Sequence, residues 1–273
     1  MAKIICEIAS GHNGDLELAK ALIKSAADNG ADIVKFQDWR ADNVPSNDSD
    51  KERYKKYQFK DEWYPILIDY CRGQGVEFLT TVFNADRCKF LADLGIKRIK
   101  LASISLTNIP LLIAATTHFN EVIFSTAMHS QEEIKEVLYY LRCSHTIMHC
   151  VANYPTLPQY ANLEKINKLR EIWDDVGYSD HSLDLDVAKM ALCMDIKYLE
   201  KHFTLSRNTP QIPHQMYKGG PMVTTHEISI EPHELKELAS WRDKVIMVRG
   251  TGEFTVNEIE KKIKEKYNKR YGQ

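Results

Sequence analysis

The chain has no run of about 18 consecutive apolar residues, so nothing in it reads as a membrane span. It has no marked excess of either charge. Against 36 Lys and Arg stand 38 Asp and Glu, a formal net charge of −2, which argues against a dedicated nucleic-acid binder. The start, Met-Ala-Lys-Ile-Ile-Cys-Glu, turns polar too soon for a signal peptide. No CxxC pair occurs among Cys6, Cys71, Cys88, Cys143, Cys150 and Cys193. These read as reduced, buried thiols of a cytoplasmic protein. With 12 Gly and 9 Pro the chain is neither fibrous nor disordered, and no repeat of 20–50 residues marks a solenoid. What is present is 273 residues, 44% of them apolar and 27% charged. That length supports a core without staples, burying roughly three-quarters of the unfolded surface.

Short runs rich in Ile, Val, Phe and Tyr are predicted as strands at 3–9, 32–37, 77–83, 98–102, 121–127, 146–151, 175–181 and 197–203. Amphipathic stretches at 16–28, 62–72, 86–93, 109–117, 130–142, 163–173, 186–194 and 231–248 are predicted helices. Several carry end signals: Gly30 after the first, Ser130 with Glu133 as a capping box, and Pro232 in a first turn. Eight strands alternating with eight helices argue for a parallel sheet with helical crossovers. Eight units in about 250 residues fit a closed (β/α)8 barrel better than an open sheet. The expected fold is thus α/β, a single TIM barrel over 1–250 with a short helical tail at 251–273. The Lys- and Arg-rich tail reads as a solvated surface helix. Two long polar insertions, 40–60 and 206–228, follow the second and eighth strands and fall on the catalytic face of such a barrel.

Chemistry in this architecture sits at the C-terminal ends of strands. Side chains two apart in a strand share a face, so Ser179 points with His181, and Glu200 with His202. Either histidine alone is more often a polar residue satisfied by backbone. Two at matching ends of neighbouring strands, with Glu200 beside them, suggest a divalent-metal site with open positions. Lys35 and Lys100 end the second and fourth strands. With Thr81, Ser103, Ser125 and Ser179 they suit a small polyanion. The bland alternative pairs each lysine with a carboxylate, and a third reading makes one a Schiff-base lysine.

With these strand ends in view, the chain resembles the sialic acid synthase family of phosphoenolpyruvate-condensing enzymes. The resemblance rests on Glu7-Ile8 with His12-Asn13-Gly14-Asp15-Leu16, on Gly30 through Gln37, and on Ser125-Thr126-Ala127-Met128. It rests further on His149-Cys150 with Tyr154-Pro155-Thr156, on Gly177 through Ser182, and on Glu200 through Leu205. It implies that Lys35, Thr81, Lys100, Ser103, Ser125, Tyr154 and Ser179 bind phosphoenolpyruvate. It implies that His181 and His202 hold Mn²⁺ or Mg²⁺, which polarises the aldehyde of an open-chain sugar, and that Glu7 orients or deprotonates water. Gln37, Ser105, Asn153, Glu200, Thr225 and His226 fall where the acceptor is expected. The implied product is a 2-keto-3-deoxy sugar acid, with phosphate leaving by C–O cleavage; a homodimer is implied as well.

Departures fall mostly on the acceptor side. Ser105 and Thr225 stand where the family usually has carboxylates, Gly11 where it has asparagine, and 210–223 is longer. Asn153 lies one residue late. The stretch 251–273 is below the ~50 residues of a minimal domain, so it is too short for the family's antifreeze-like domain. A changed acceptor, other than N-acetylmannosamine, is the expectation. The alternatives are a non-catalytic binding barrel, or a synthase acting on a sugar phosphate, for which Arg40, Arg207 and Lys218 would have to bind the second phosphate.

Overall fold

The computed structural model describes residues 2–215 and 219–271; Lys218 therefore lies outside the described residues. Eight parallel strands close a barrel in chain order, β1 pairing with both β2 and β8. They are β1 (Lys3–Ala9), β2 (Ile33–Asp38), β3 (Glu77–Val82), β4 (Arg98–Leu101), β5 (Glu121–Ser125), β6 (Ser144–Cys150), β7 (Val176–Asp180) and β8 (Tyr198–His202). The expected fold is the observed one.

Strand alternation sorts every side chain to one of two faces. Outward residues such as Ile4, Val34, Phe36, Ile99, Phe124 and Leu199 join the helices in one large core. Inward, Ile5, Ile33, Leu79, Ile123, Met148 and Tyr198 form a separate fully buried layer across the barrel. Each such side chain stabilises the fold by about 1.5–3 kcal/mol. Below that layer the N-terminal end is plugged by polar groups. Thr146 donates to Glu121 (3.1 Å), and Arg98 reaches both Glu121 (3.3 Å) and the Tyr198 hydroxyl (3.0 Å). Above it, the next inward positions are polar, and they form the site.

The helices between strands are α1 (Leu16–Asp28), α3 (Trp63–Gly73), α4 (Ala85–Asp93), α5 (Ile109–His118), α6 (Gln131–Leu138), α8 (Glu164–Arg170), α9 (Asp186–Leu192) and α10 (Pro232–Arg249). Asp15 caps α1 by accepting from the amides of Glu17 and Leu18, and Ser130 with Glu133 forms the capping box of α6. The stretches 130–142 and 163–173 end early as regular helix. Their last residues make i→i+3 turns, Leu141 to Leu138 and Ile172 to Leu169, as the chain swings into the next strand.

The insertions are not bare loops. Residues 40–60 hold a 3₁₀ turn, Ala41–Asn43, and a short helix α2 (Lys51–Tyr57); after β8, His214–Gln215 and Met222–Val223 pair as a hairpin. A short helix α7 (Pro158–Ala161) follows β6, and α11 (Glu258–Tyr271) buries none of its residues. The cysteines are free, but Cys193 at the end of α9 is exposed and Cys143 half-buried, which corrects the expectation that all six are buried. Among the described residues no helix is long and apolar enough to cross a membrane.

Candidate active site

Register decides which groups meet. Glu7 lies opposite Lys35 on one side and His202 on the other; Thr81 lies opposite Lys100, and Ser179 opposite Glu200. All these inward side chains but His202 are buried outright. The Lys35 ammonium sits 2.6 Å from Glu7 Oε2 and 3.0 Å from Glu200 Oε1, and donates to Thr81 Oγ1 (3.1 Å). Lys100 donates to Ser125 Oγ (2.6 Å) and stands 3.8 Å from Glu200 Oε2. Ser179 donates to Glu200 Oε1 (3.1 Å). The pair of lysines read from the sequence is therefore half of a set of two cations and two carboxylates.

The set is unevenly balanced. Burial would raise Glu200, but Lys100 and Lys35 override it and hold its carboxyl down at about 2. Burial raises Glu7 instead, and the nearby Glu200 charge adds to this while Lys35 opposes it. Two carboxyls of one cluster are thus pushed in opposite directions, which suits one to remain a fixed anion and the other to exchange protons. Burial also divides the lysines. It depresses Lys100, whose one carboxylate neighbour, Glu200, stands off at 3.8 Å, whereas for Lys35 the attraction of Glu200 and Glu7 outweighs burial. Lys100 is the cation with compensation to spare for an incoming anion.

Above the set, the His181 and His202 rings lie 5.7 Å apart between centroids. His181 Nδ1 donates to the Val151 carbonyl (2.7 Å), which leaves the lone pair on Nε2. A metal-binding imidazole is commonly oriented in this way. His202 Nδ1 is buried with no hydrogen-bond partner. Burial drives both rings neutral: it takes His181 down to about 4 and, helped by His181 itself, holds His202 well below the ordinary imidazole range. Two neutral imidazoles, one braced and one with an unsatisfied nitrogen, fit a divalent cation. No group of three or more His, Cys, Asp or Glu converges among the described residues, so further positions fall to water or substrate. The Tyr154 ring lies 4.0 Å from His181, and burial pushes its hydroxyl well up, so it remains a donor.

The remaining residues form the rim. Gln37 approaches Glu7 at 3.5 Å. Ser103 Oγ accepts from the Ala127 amide (3.0 Å), tying the β4 and β5 ends together rather than joining Lys100. Ser105 is buried in the 3₁₀ turn after β4, and Asn153 is half-buried after β6. Thr225 and His226 belong to a separate cluster by the β1 and β8 ends. Thr225 bonds Ser10 Oγ (2.9 Å), His226 Nδ1 meets Thr204 Oγ1 (2.7 Å), and His226 Nε2 is unpartnered. A Cβ on Gly11 would come 2.9 Å from the Ile8 carbonyl, so no larger residue fits there without movement.

Of the cations offered for a second phosphate, Arg40 is held by Asp38 and Asp61, and Arg207 by Glu234. The sequence reading also missed the groups directly behind the site. Asp180 and Lys201, the middle residues of Ser179-Asp180-His181 and Glu200-Lys201-His202, face outward and form a fully buried ion pair at 2.7 Å. The alternation that aims their neighbours inward was the available signal.

Comparison with known proteins agrees with this geometry. Residues 22–254 match the NeuB family. The chain is 33% identical to the N,N'-diacetyllegionaminic acid synthase of Legionella pneumophila over 92% of its own length and 74% of that protein. It is also 33% identical to the synthase of the same name from Campylobacter jejuni, covering 95% and 80%. The solved N-acetylneuraminic acid (sialic acid) synthetase of Leptospira borgpetersenii superposes with a TM-score of 0.88 at 27% identity, covering 100% of this chain and 93% of that one. The motifs at the strand ends, the closed barrel and these matches agree: the chain belongs to the NeuB family of sialic acid synthase-like proteins.

Proposed function

We propose that the chain, a sialic acid synthase-like transferase by family, condenses phosphoenolpyruvate with an open-chain sugar aldehyde, giving a 2-keto-3-deoxy sugar acid and phosphate. The observation that carries the reading is the buried Lys35–Glu7–Glu200–Lys100 set beneath two neutral histidines.

Phosphoenolpyruvate is placed on Lys100 and Lys35, with Thr81, Ser125 and Ser179 orienting its oxygens and Ser103 and Tyr154 at the edge. Fixed ammonium groups in a dry site stabilise developing anionic charge without reorganising. C3 attacks the aldehyde carbon, water adds at C2, and phosphate leaves with the C2–O bond broken. Water loses two protons as its oxygen becomes the C2 ketone: one leaves on the phosphate, and the other is gained by the former aldehyde oxygen. Glu7, raised by burial, is suited to accept and return it. Glu200, held as an anion, keeps Lys35 and Lys100 charged and in place. His181 and His202 would hold Mn²⁺ or Mg²⁺, which supplies Lewis-acid polarisation of the aldehyde. Gln37, Ser105, Asn153, Thr225 and His226 face the acceptor in this reading, with Ser105 and Thr225 disfavouring N-acetylmannosamine. A cytoplasmic homodimer belongs to the same proposal, with light scattering as the check on its oligomeric state.

The test is phosphate release and product mass spectrometry from phosphoenolpyruvate, Mn²⁺ and a panel of aldoses. The expected outcome is phosphate matched one-to-one by a 2-keto-3-deoxy acid, lost on chelation and in His202→Ala together with bound metal. Absence of phosphate release with every aldose, or turnover and metal content unchanged in His202→Ala, overturns it.

A further inference from the structure

The insertion after β2 carries a cation that the proposed chemistry leaves unused. Arg53 on α2 is only 8% exposed, yet among the described residues no carboxylate pairs with it within 4 Å. By contrast Arg87 and Arg242, half-buried on the helices of the barrel, each hold an aspartate. Among the described residues the Arg53 side chain makes one hydrogen bond, from Nη2 to the Ser10 hydroxyl (3.0 Å), and its buried Nε has no partner. Asp50, at the start of the same helix, acts on it from beyond ion-pair range. The Tyr54 and Tyr57 rings lie 6.0 and 5.9 Å away. A guanidinium taken out of water without a counter-charge is costly, and such a group persists where something else supplies the charge.

Its position points to the substrate. Ser10 Oγ also bonds Thr225 Oγ1 (2.9 Å), and Gln211 from the long β8 loop donates to the Ser10 carbonyl (2.8 Å). The loops after β1, β2 and β8 thus meet around the guanidinium, at the strand-end face of the barrel that Glu7 and His202 also occupy. The approach is close: a Cβ on Gly14, itself at φ +75°, would lie 2.5 Å from the Lys56 carbonyl of α2. Among the described residues, the groups bonded around Ser10 apart from Arg53 are neutral hydroxyls and amides.

We propose that Arg53 selects an acceptor aldehyde bearing a carboxylate remote from the aldehyde carbon, such as a uronic-acid-type sugar. Nε and Nη2 form one edge of the guanidinium fork, and two oxygens of a carboxylate match that edge. One guanidinium neutralises one negative charge; a phosphate dianion would call for a second cation. The inference rests on the condensation proposed above.

Initial rates with phosphoenolpyruvate and Mn²⁺ are to be compared for glucuronate, glucose and glucose 6-phosphate. The expected result is a kcat/KM for glucuronate roughly ten- to a hundredfold above that for glucose, the range of a charge-assisted hydrogen-bonded pair. In Arg53→Gln that ratio should collapse towards one through the glucuronate KM, and Arg53→Lys should restore part of it. Equal or better use of glucose, preference for the phosphate, or a ratio unchanged in Arg53→Gln overturns the assignment. Calorimetric titration of the unmodified protein with gulonate and sorbitol, which carry no aldehyde, decides the point without turnover. Tighter binding of gulonate that is lost in Arg53→Gln supports it even if no acceptor releases phosphate, a result that would fault only the condensation; a preference for gulonate that survives in Arg53→Gln refutes it. Equal binding of the two refutes it.

Discussion

Replacing Lys201 by methionine removes the cation behind the site while keeping the volume. Lys201 and Asp180 are 1% and 0% exposed at the side chain and 2.7 Å apart, and Lys201 also donates to the Ser182 carbonyl (2.6 Å). Breaking a buried pair by removing one partner costs about 3–5 kcal/mol, because the other charge stays buried and uncompensated. Asp180 would keep the Ser182 amide (3.0 Å), the Ser182 hydroxyl (2.9 Å) and the longer Tyr178 hydroxyl contact (3.3 Å). Those donors place the loss near the lower bound, about 3 kcal/mol, or roughly 6–12 °C in melting temperature for a chain of this size. Asp180→Asn with Lys201→Met removes both charges and should recover most of the loss, ending within about 1 kcal/mol of the parent. Urea unfolding followed by circular dichroism measures all three, the slope serving as the check on a common unfolded state. The pair also fixes the strand segments that aim Ser179, His181, Glu200 and His202, so Lys201→Met should lose turnover beyond its loss of folded protein. A single variant within 1 kcal/mol of the parent, or a double variant no better than the single, refutes the reasoning.

Two further outcomes follow from the site and the plug. Lys35→Ala and Lys100→Ala should each lose about 2–4 kcal/mol of transition-state stabilisation, read from kcat/KM; calorimetry showing undiminished phosphoenolpyruvate affinity in both would remove them from its binding site. At the barrel floor, burial raises the Glu121 carboxyl, but hydrogen bonding to Lys197 and the charges of Arg98 and Lys197 bring it below the ordinary value of 4.5. A depressed carboxyl contributes stability above its unfolded-state pKa and loses it as the pH falls through the folded one. Urea midpoints from pH 6 down to pH 3 should therefore fall less steeply in Glu121→Gln than in the parent, and parallel curves would contradict this.

Alternation made much of the architecture legible. Whether Lys35, Lys100, Ser179 or Glu200 faces inward depends on a two-residue period, a property of each strand alone. Eight such segments with helices between them leave few ways to bury both strand faces, and closure satisfies both edges. Helix ends were readable where a side chain caps its own backbone, as Asp15 and Ser130 do, because those bonds span only a few residues. Partner choice was not local. Lys35 on β2 meets Glu200 on β8 only because the closed barrel sets both beside β1. Arg40 and Arg207 looked available in sequence and are each held by carboxylates from elsewhere in the chain. Arg53 looked like one charge among several in a polar insertion. Its burial against Ser10 follows from how three strand-end loops fold over one another. Side-chain direction along a strand is fixed by the backbone of that strand, so the barrel and its inward-facing chemistry were legible in the residues alone. Charge pairing depends on distances set by closure and by loop packing, so which buried cations are neutralised, and that Arg53 has no carboxylate partner among the described residues, emerged only in three dimensions.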